Sequence, residues 1–151
     1  MRRDQRRIAL CDVNVLIALF DATHVHHEIA HDWFADDGAS GWATCAITEN
    51  GFLRILGNPR LGVTETRDVL LASLRAFGAM PEHTFWNDSV SLRDATLFDD
   101  TVFVSYRHLT DLYLLGLAVR MDGRLATFDR SIPLTAVKGA VAERHLVVLA
   151  A

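Results

Sequence analysis

The chain of 151 residues has two cysteines, one lysine, and no apolar run near the roughly 20 residues that a bilayer span needs. Each scarcity excludes something. Cys11 and Cys45 both lie in apolar surroundings, which rules out a disulfide scaffold and suits a reducing compartment. The missing long run leaves no membrane helix. The opening MRRDQRRIALC imitates a signal peptide, but Asp12 and Asn14 interrupt its apolar segment and no small-residue cleavage site follows. Bulky Leu10 before Cys11 argues against a lipoprotein. The expectation is a cytoplasmic protein with no membrane association. No stretch is low-complexity, and no linker or internal repeat is visible.

Positive charge is also short. The net charge is −4, which does not advertise nucleic-acid binding. Yet 14 of the 15 basic residues are arginine, the side chain whose planar fork suits phosphate. Codon usage alone can produce that bias, so it carries little weight. Arg2, Arg3, Arg6 and Arg7 form a basic cluster, and residues 1–7 read as a solvated, disordered terminus. Residues 8–151 then read as one domain, with half of the chain hydrophobic and enough length for a core.

Short apolar runs alternate with helical patterns. IALC at 8–11, GWATC at 41–45, HTFW at 83–86, RLATF at 124–128 and HLVVLA at 145–150 read as strands. VNVLIALFDA, HEIAHDWFADD, AITENGFLRILGN and TETRDVLLASLRAFG read as helices, the third stopped by Gly57-Asn58-Pro59. SLRDATLF reads as a weak helix and TVFVSY as strand or helix. HLTDLYLLGLAVRMDG reads as a strong helix capped by Thr110 and stopped at Gly123. This order predicts an α/β fold with helices on both faces of a mostly parallel sheet of four to five strands.

Ligands of parallel sheets bind beyond the carboxyl ends of the strands. Asp12 follows IALC and Asp129 follows RLATF; Glu49 and Asp111 occupy the first turns of helices. Four acids from four segments are thereby expected on one edge. Taken singly, Glu49 and Asp111 could merely complement helix dipoles, and Asp129 could be a turn residue. Asp12 is harder to dismiss, since an ionised carboxylate among apolar neighbours is costly unless paired. Converging carboxylates raise one another's pKa unless a cation intervenes, and hard oxygen donors suit Mg²⁺ or Mn²⁺. Such a site suits phosphodiester hydrolysis. The four acids equal the net negative charge, so the rest of the chain is neutral overall and would not repel a polyanion strongly.

The segments CDVNVLIALFDATHVHHEIAHDWF, AITENGFLRILGNPR, LTDLYLLGLAVRMDGRLATFDR and HLVVLA resemble the PIN-domain ribonucleases, specifically the VapC toxins of toxin–antitoxin pairs. The stretch from about 62 to 105 matches less distinctly. The resemblance implies a PIN-like three-layer α/β/α domain and a toxin endoribonuclease. Asp12, Glu49, Asp111 and Asp129 would be its acidic quartet, holding one or two Mg²⁺ or Mn²⁺ ions. Asn14 and Thr127 match polar positions that orient ligands or water, and Arg54, Arg60 and Arg130 are weaker candidates for substrate phosphates. Ile132 stands where the family often has an aromatic residue, and the N-terminal extension is longer than the family's. The resemblance further implies a homodimer, an RNA substrate and a VapB-like antitoxin.

A rival pattern is His27-Glu28-Ile29-Ala30-His31, which spells the helical zinc-peptidase motif H-E-x-x-H. Val25, Ile29, Trp33 and Phe34 are expected to form that helix's apolar face, turning His27, Glu28 and His31 to solvent. No convincing third ligand stands downstream, although His83, His108, Glu82 and Asp88 are available. His24, His26, His83, His108 and His145 are otherwise given no chemistry, and the three tryptophans are expected in the core or at an interface. A non-catalytic α/β binding module is the third alternative; it would tolerate loss of an acid, and none is missing.

Overall fold

The computed structural model describes residues 7–61, 65–103 and 105–150. Five strands, β1 (Ala9–Cys11), β2 (Trp42–Cys45), β3 (His83–Trp86), β4 (Arg124–Thr127) and β5 (Leu146–Val148), form one parallel sheet in the order β3-β2-β1-β4-β5. The helices are α1 (Val13–Phe20), α2 (His27–Asp36), α3 (Ala46–Leu56), α4 (Arg67–Gly78), α5 (Leu109–Arg120) and the single-turn α6 (Ala142–His145).

Side chains of a strand alternate between faces, and both faces here are covered. Ala9, Cys11, Trp42 and Ala126 pack with Val15 and Leu16 of α1, Ala30 of α2, Phe52 and Leu56 of α3, and Leu70 of α4. Leu10, Ala43, Cys45 and Leu125 face the other way, onto α5. All of Leu112–Ala118 in α5 is buried, apolar round its whole girth, because the layer over it (Leu97, Phe98, Ile132, Val137) covers its outer side. Each buried Leu there contributes roughly 1.5–3 kcal/mol of burial. Close approach is built in at Gly116, where a Cβ would fall 2.3 Å from the Phe98 ring, and at Gly123, where it would fall 2.5 Å from Trp86.

The expected strands are all present, and every pairing is parallel. Several local readings are corrected. SLRDATLF is a run of turns, not a helix: Ser91 Oγ accepts from Arg93 N–H, and Asp94 Oδ1 accepts from Thr96 N–H. Those short side chains give the backbone local partners that compete with a helical ladder. The described residues of TVFVSY form neither strand nor α-helix; Asp100–Val102 and Tyr106–His108 are single 3₁₀ turns, and residue 104 lies outside the described residues. Thr110 does not cap α5; the cap lies two residues earlier, at His108, and the helix closes before Gly123, with Asp122 in the left-handed region at φ 54°. Val25 is 84% exposed and belongs to no apolar face. At the N-terminus, Arg7 is held, its guanidinium 3.1 Å from Asp122 and its carbonyl accepting from Arg124 Nε, so the disordered reading fails there; residues 1–6 lie outside the described residues.

The topology decides where a ligand can enter. β1 lies between β2 and β4, and the chain winds outward from it in opposite directions. The crossovers therefore diverge at the carboxyl ends of β1 and β4 and leave a crevice there.

Candidate active site at the ends of strands β1 and β4

Asp12 closes β1 and opens α1. Its N–H donates to Ala126 of β4, which continues the sheet by one bond. Its Oδ1 accepts the Val13 N–H at 2.6 Å, so the carboxylate caps α1 at the positive end of the helix dipole. Its Oδ2 accepts from the Thr127 hydroxyl at 3.0 Å, and Thr127 Oγ1 accepts in turn from Asp129 N–H at 3.1 Å. Thr127 thus ties the two strand ends together. It is wholly buried, and Asp12 is 7% exposed.

Asp111 lies in the first turn of α5 and Asp129 in the bend after β4. The three aspartates sense one another. Burial, and then the charges of Asp12 and Asp129, push the Asp111 carboxyl up to about 6. Burial also raises Asp12, against the hydrogen bonds from Thr127 and Val13, and Asp129 adds to the rise. Asp129 is lowered, because the hydroxyl and N–H of Ser131 both donate to its Oδ1, at 2.6 and 2.7 Å. His108, one turn before Asp111, lies 3.3 Å from Ser131 Oγ and offsets charge on both Asp111 and Asp129.

Glu49 is held differently. It lies in the first turn of α3, but its Oε2 turns to β2 and accepts from the Thr44 hydroxyl at 2.6 Å; Thr44 Oγ1 is also 2.8 Å from His83 Nε2. The His83 ring stands edge-on to Trp42, 4.7 Å between centroids, and burial lowers its pKa against the opposing charge of Glu49. Among the described residues, no three His, Cys, Asp or Glu side chains stand ready around one ion. Asp12, Asp129 and Glu49 each spend at least one oxygen on a neighbouring donor, so joint coordination requires side chains to rotate. The donor chemistry itself fits a hard divalent cation: the acids present only oxygens, and positive charge would relieve the raised carboxyls of Asp12 and Asp111.

The remaining candidates divide. Asn14 is exposed in the first turn of α1. Arg130 is exposed beside Asp129. Arg54 lies in the last turn of α3 and Arg60 beyond it, toward the helix end away from the acids, and Arg54 lines a cleft of about 630 Å³ with Arg67 of α4. Thr44, His83, His108 and Ser131 are the polar neighbours that sequence reasoning missed. The i, i+3 spacing of His108 and Asp111 at a helix start was a usable signal for His108, and D-x-S for Ser131. Nothing local marks His83 or Thr44, which meet across two strands.

The H-E-x-x-H pattern has a structural use. His27 Nδ1 lies 2.7 Å from the Ala18 carbonyl, and His31 Nε2 lies 2.9 Å from that of Leu19. These carbonyls belong to the last turn of α1, whose acceptors have no helical partner. The imidazoles donate to them, with ring centroids 4.2 Å apart, so they fold onto α1 and do not simply face solvent. Among the described residues no third ligand joins them.

The parallel sheet carries Asp12 and Asp129 just beyond the ends of β1 and β4, at its topological switch, and the PIN-domain model matches residues 9–138. The chain belongs to the PIN-domain family. Within it, the chain is similar to ribonuclease VapC44 of Mycobacterium tuberculosis, 45% identical over 93% of this chain and 99% of that protein. It is likewise similar to ribonuclease VapC38, 44% identical over 83% of this chain and 87% of the relative, and to ribonuclease VapC39, 42% identical over 88% and 96%, both also of Mycobacterium tuberculosis.

Proposed function

We propose that the chain is a metal-dependent endoribonuclease, the toxin of a type II toxin–antitoxin module that stops translation by cutting RNA. The observation that carries this reading is the coupled trio Asp12, Asp111 and Asp129 at the switch point of the sheet. In this reading these three hold the metal, Mg²⁺ or Mn²⁺, as one or two ions. Bound there, the ion supplies Lewis-acid polarisation of the scissile phosphate and neutralises its developing negative charge. Glu49 contributes to a second ion or takes the proton of the attacking water, through the oxygen that Thr44 does not bind. Thr127 orients Asp12 by its hydroxyl, and Asn14 orients water at the opening of α1. Hydrolysis leaves 5′-phosphate and 3′-hydroxyl ends.

Arg130 is the arginine best placed to hold a substrate phosphate; Arg54 and Arg60 would contact RNA that extends along α3. Residues 8–151 act as one PIN domain, working as a homodimer in the cytoplasm with a VapB-like antitoxin that covers the site. Among the described residues no helix is long and apolar enough to cross a membrane.

The test is cleavage of RNA by purified chain with Mg²⁺ or Mn²⁺. Asp12→Asn abolishes it and His27→Ala does not. Full activity of Asp12→Asn, with a requirement for Zn²⁺ and for His27, would transfer the reading to the peptidase. A chain with neither activity nor divalent-ion binding would be the non-catalytic binding module.

A further inference from the structure

Asp12 is oriented by the Val13 N–H and by the Thr127 hydroxyl of the adjoining strand β4, and Asp129 by Ser131 two residues on. Glu49 is oriented by Thr44 and, behind it, His83, which are remote in sequence from each other. The Thr44 hydroxyl has one proton and two short contacts, 2.6 Å to Glu49 Oε2 and 2.8 Å to His83 Nε2. Two hydrogen bonds on one hydroxyl oxygen require a second proton on the line. With Glu49 a carboxylate that accepts from Thr44, that proton sits on His83 Nε2 and the imidazole donates to Thr44 Oγ1. The Gly78 backbone also hydrogen-bonds the ring, so a ring that donates to both partners carries a proton on each nitrogen. Thr44 is 1% exposed, so solvent cannot readily replace either partner. The ring is backed as well. It lies across the Trp42 indole, and a Cβ on Gly78 would already touch its Nδ1 and Cε1 at 3.9 Å.

We propose that His83 is a positioning residue for the active site: donating from Nε2 through the Thr44 hydroxyl, it fixes the orientation of the Glu49 carboxylate. Its kinetic consequence rests on the ribonuclease reading above; its hydrogen-bond direction does not. Thr44 forces a chain of definite polarity, His83 to Thr44 to Glu49, and leaves one Glu49 oxygen outside it. Loss of either donor frees Glu49 to rotate without removing any acid. The defect should therefore appear in turnover and leave substrate binding almost intact.

The experiment uses the full chain with Mg²⁺ and a defined RNA. His83→Ala and Thr44→Val should each lower kcat roughly 10- to 100-fold, with KM within about twofold of wild type. His83→Gln, which keeps an N–H donor, and Thr44→Ser, which keeps the hydroxyl, should recover most of the loss. The Thr44→Val/His83→Ala pair should be little worse than Thr44→Val alone, since both act on one line. His83→Phe keeps the ring against Trp42 without a donor and replaces His83→Ala if that variant does not fold. Independently of activity, ¹⁵N spectra of the metal-free protein should show His83 protonated at Nε2. Wild-type kcat in folded His83→Ala or His83→Phe, or a bare Nε2 in the spectrum, overturns the proposal. Unchanged cleavage by Asp12→Asn would instead sink the ribonuclease reading, and the spectrum would still decide the hydrogen bond.

Discussion

His27 and His31 on α2 follow a spelling that suggests a catalytic metal, while the aspartates at the ends of β1 and β4 follow none. In the folded chain their roles are reversed. The histidines spend nitrogens on the Ala18 and Leu19 carbonyls and so complete the end of α1. The aspartates come from three separate segments; Asp12 and Asp129 raise the proton affinity of Asp111, and Asp129 that of Asp12, which structure alone would not favour. A short motif shows which donors lie near each other along one helix. It does not show whether the backbone has already claimed them, whereas a charge conflict left unrelieved points to an outside partner.

The largest expected effect breaks this contrast on its acidic side. Asp129→Asn or Asp12→Asn should reduce RNA cleavage at least about 100-fold, read by gel assay in Mg²⁺, because each removes a metal-holding charge. Next, Gly51→Ala should disturb the acids without touching one. Gly51 lets α3 lie against α1, and a Cβ there would fall 2.6 Å from Val13 Cγ2. Overpacking of that kind costs about 1–3 kcal/mol, measured by denaturant unfolding, and should also lower activity by shifting the helix that carries Glu49.

On the histidine side the effect is smaller and purely structural. His27→Ala and His31→Ala should each cost about 1 kcal/mol, a fall in Tm of roughly 2–4 °C, with cleavage unchanged and no dependence on Zn²⁺. The smallest effect has the opposite sign. Asp111 titrates near 3.8 when unfolded and about 6 when folded, so its contribution to stability is full below 3.8 and is lost as pH rises through 6. Asp111→Asn should therefore raise Tm slightly at pH 7, and flatten the decline in stability between pH 4 and 6, while abolishing cleavage. A lower Tm for Asp111→Asn at pH 7 would show that the site carries no charge strain.

Much of this was legible in the chain itself. Parallel strands of a covered sheet are short and apolar, so IALC, GWATC, HTFW, RLATF and HLVVLA stood out; IALC and RLATF ended at an acid, and GWATC where a helix began. The misreadings share a cause. SLRDATLF has a passable helical pattern, but Ser91 and Asp94 offer the backbone nearer partners, and Thr110 lost the cap to a 3₁₀ turn that ends at His108.

By itself the sequence determined the alternation of strand and helix, the two apolar faces of the sheet, and the placing of Asp12 and Asp129 just beyond strand ends, because periodicity and burial act over a few residues. Only the tertiary structure decided that β1 and β4 are neighbours, that Thr127 bridges Asp12 and Asp129, that Glu49 turns toward Thr44 and His83, and that His27 and His31 are used up on α1. Those outcomes depend on which strands pair and which carbonyls lack a partner, and no local pattern encodes either.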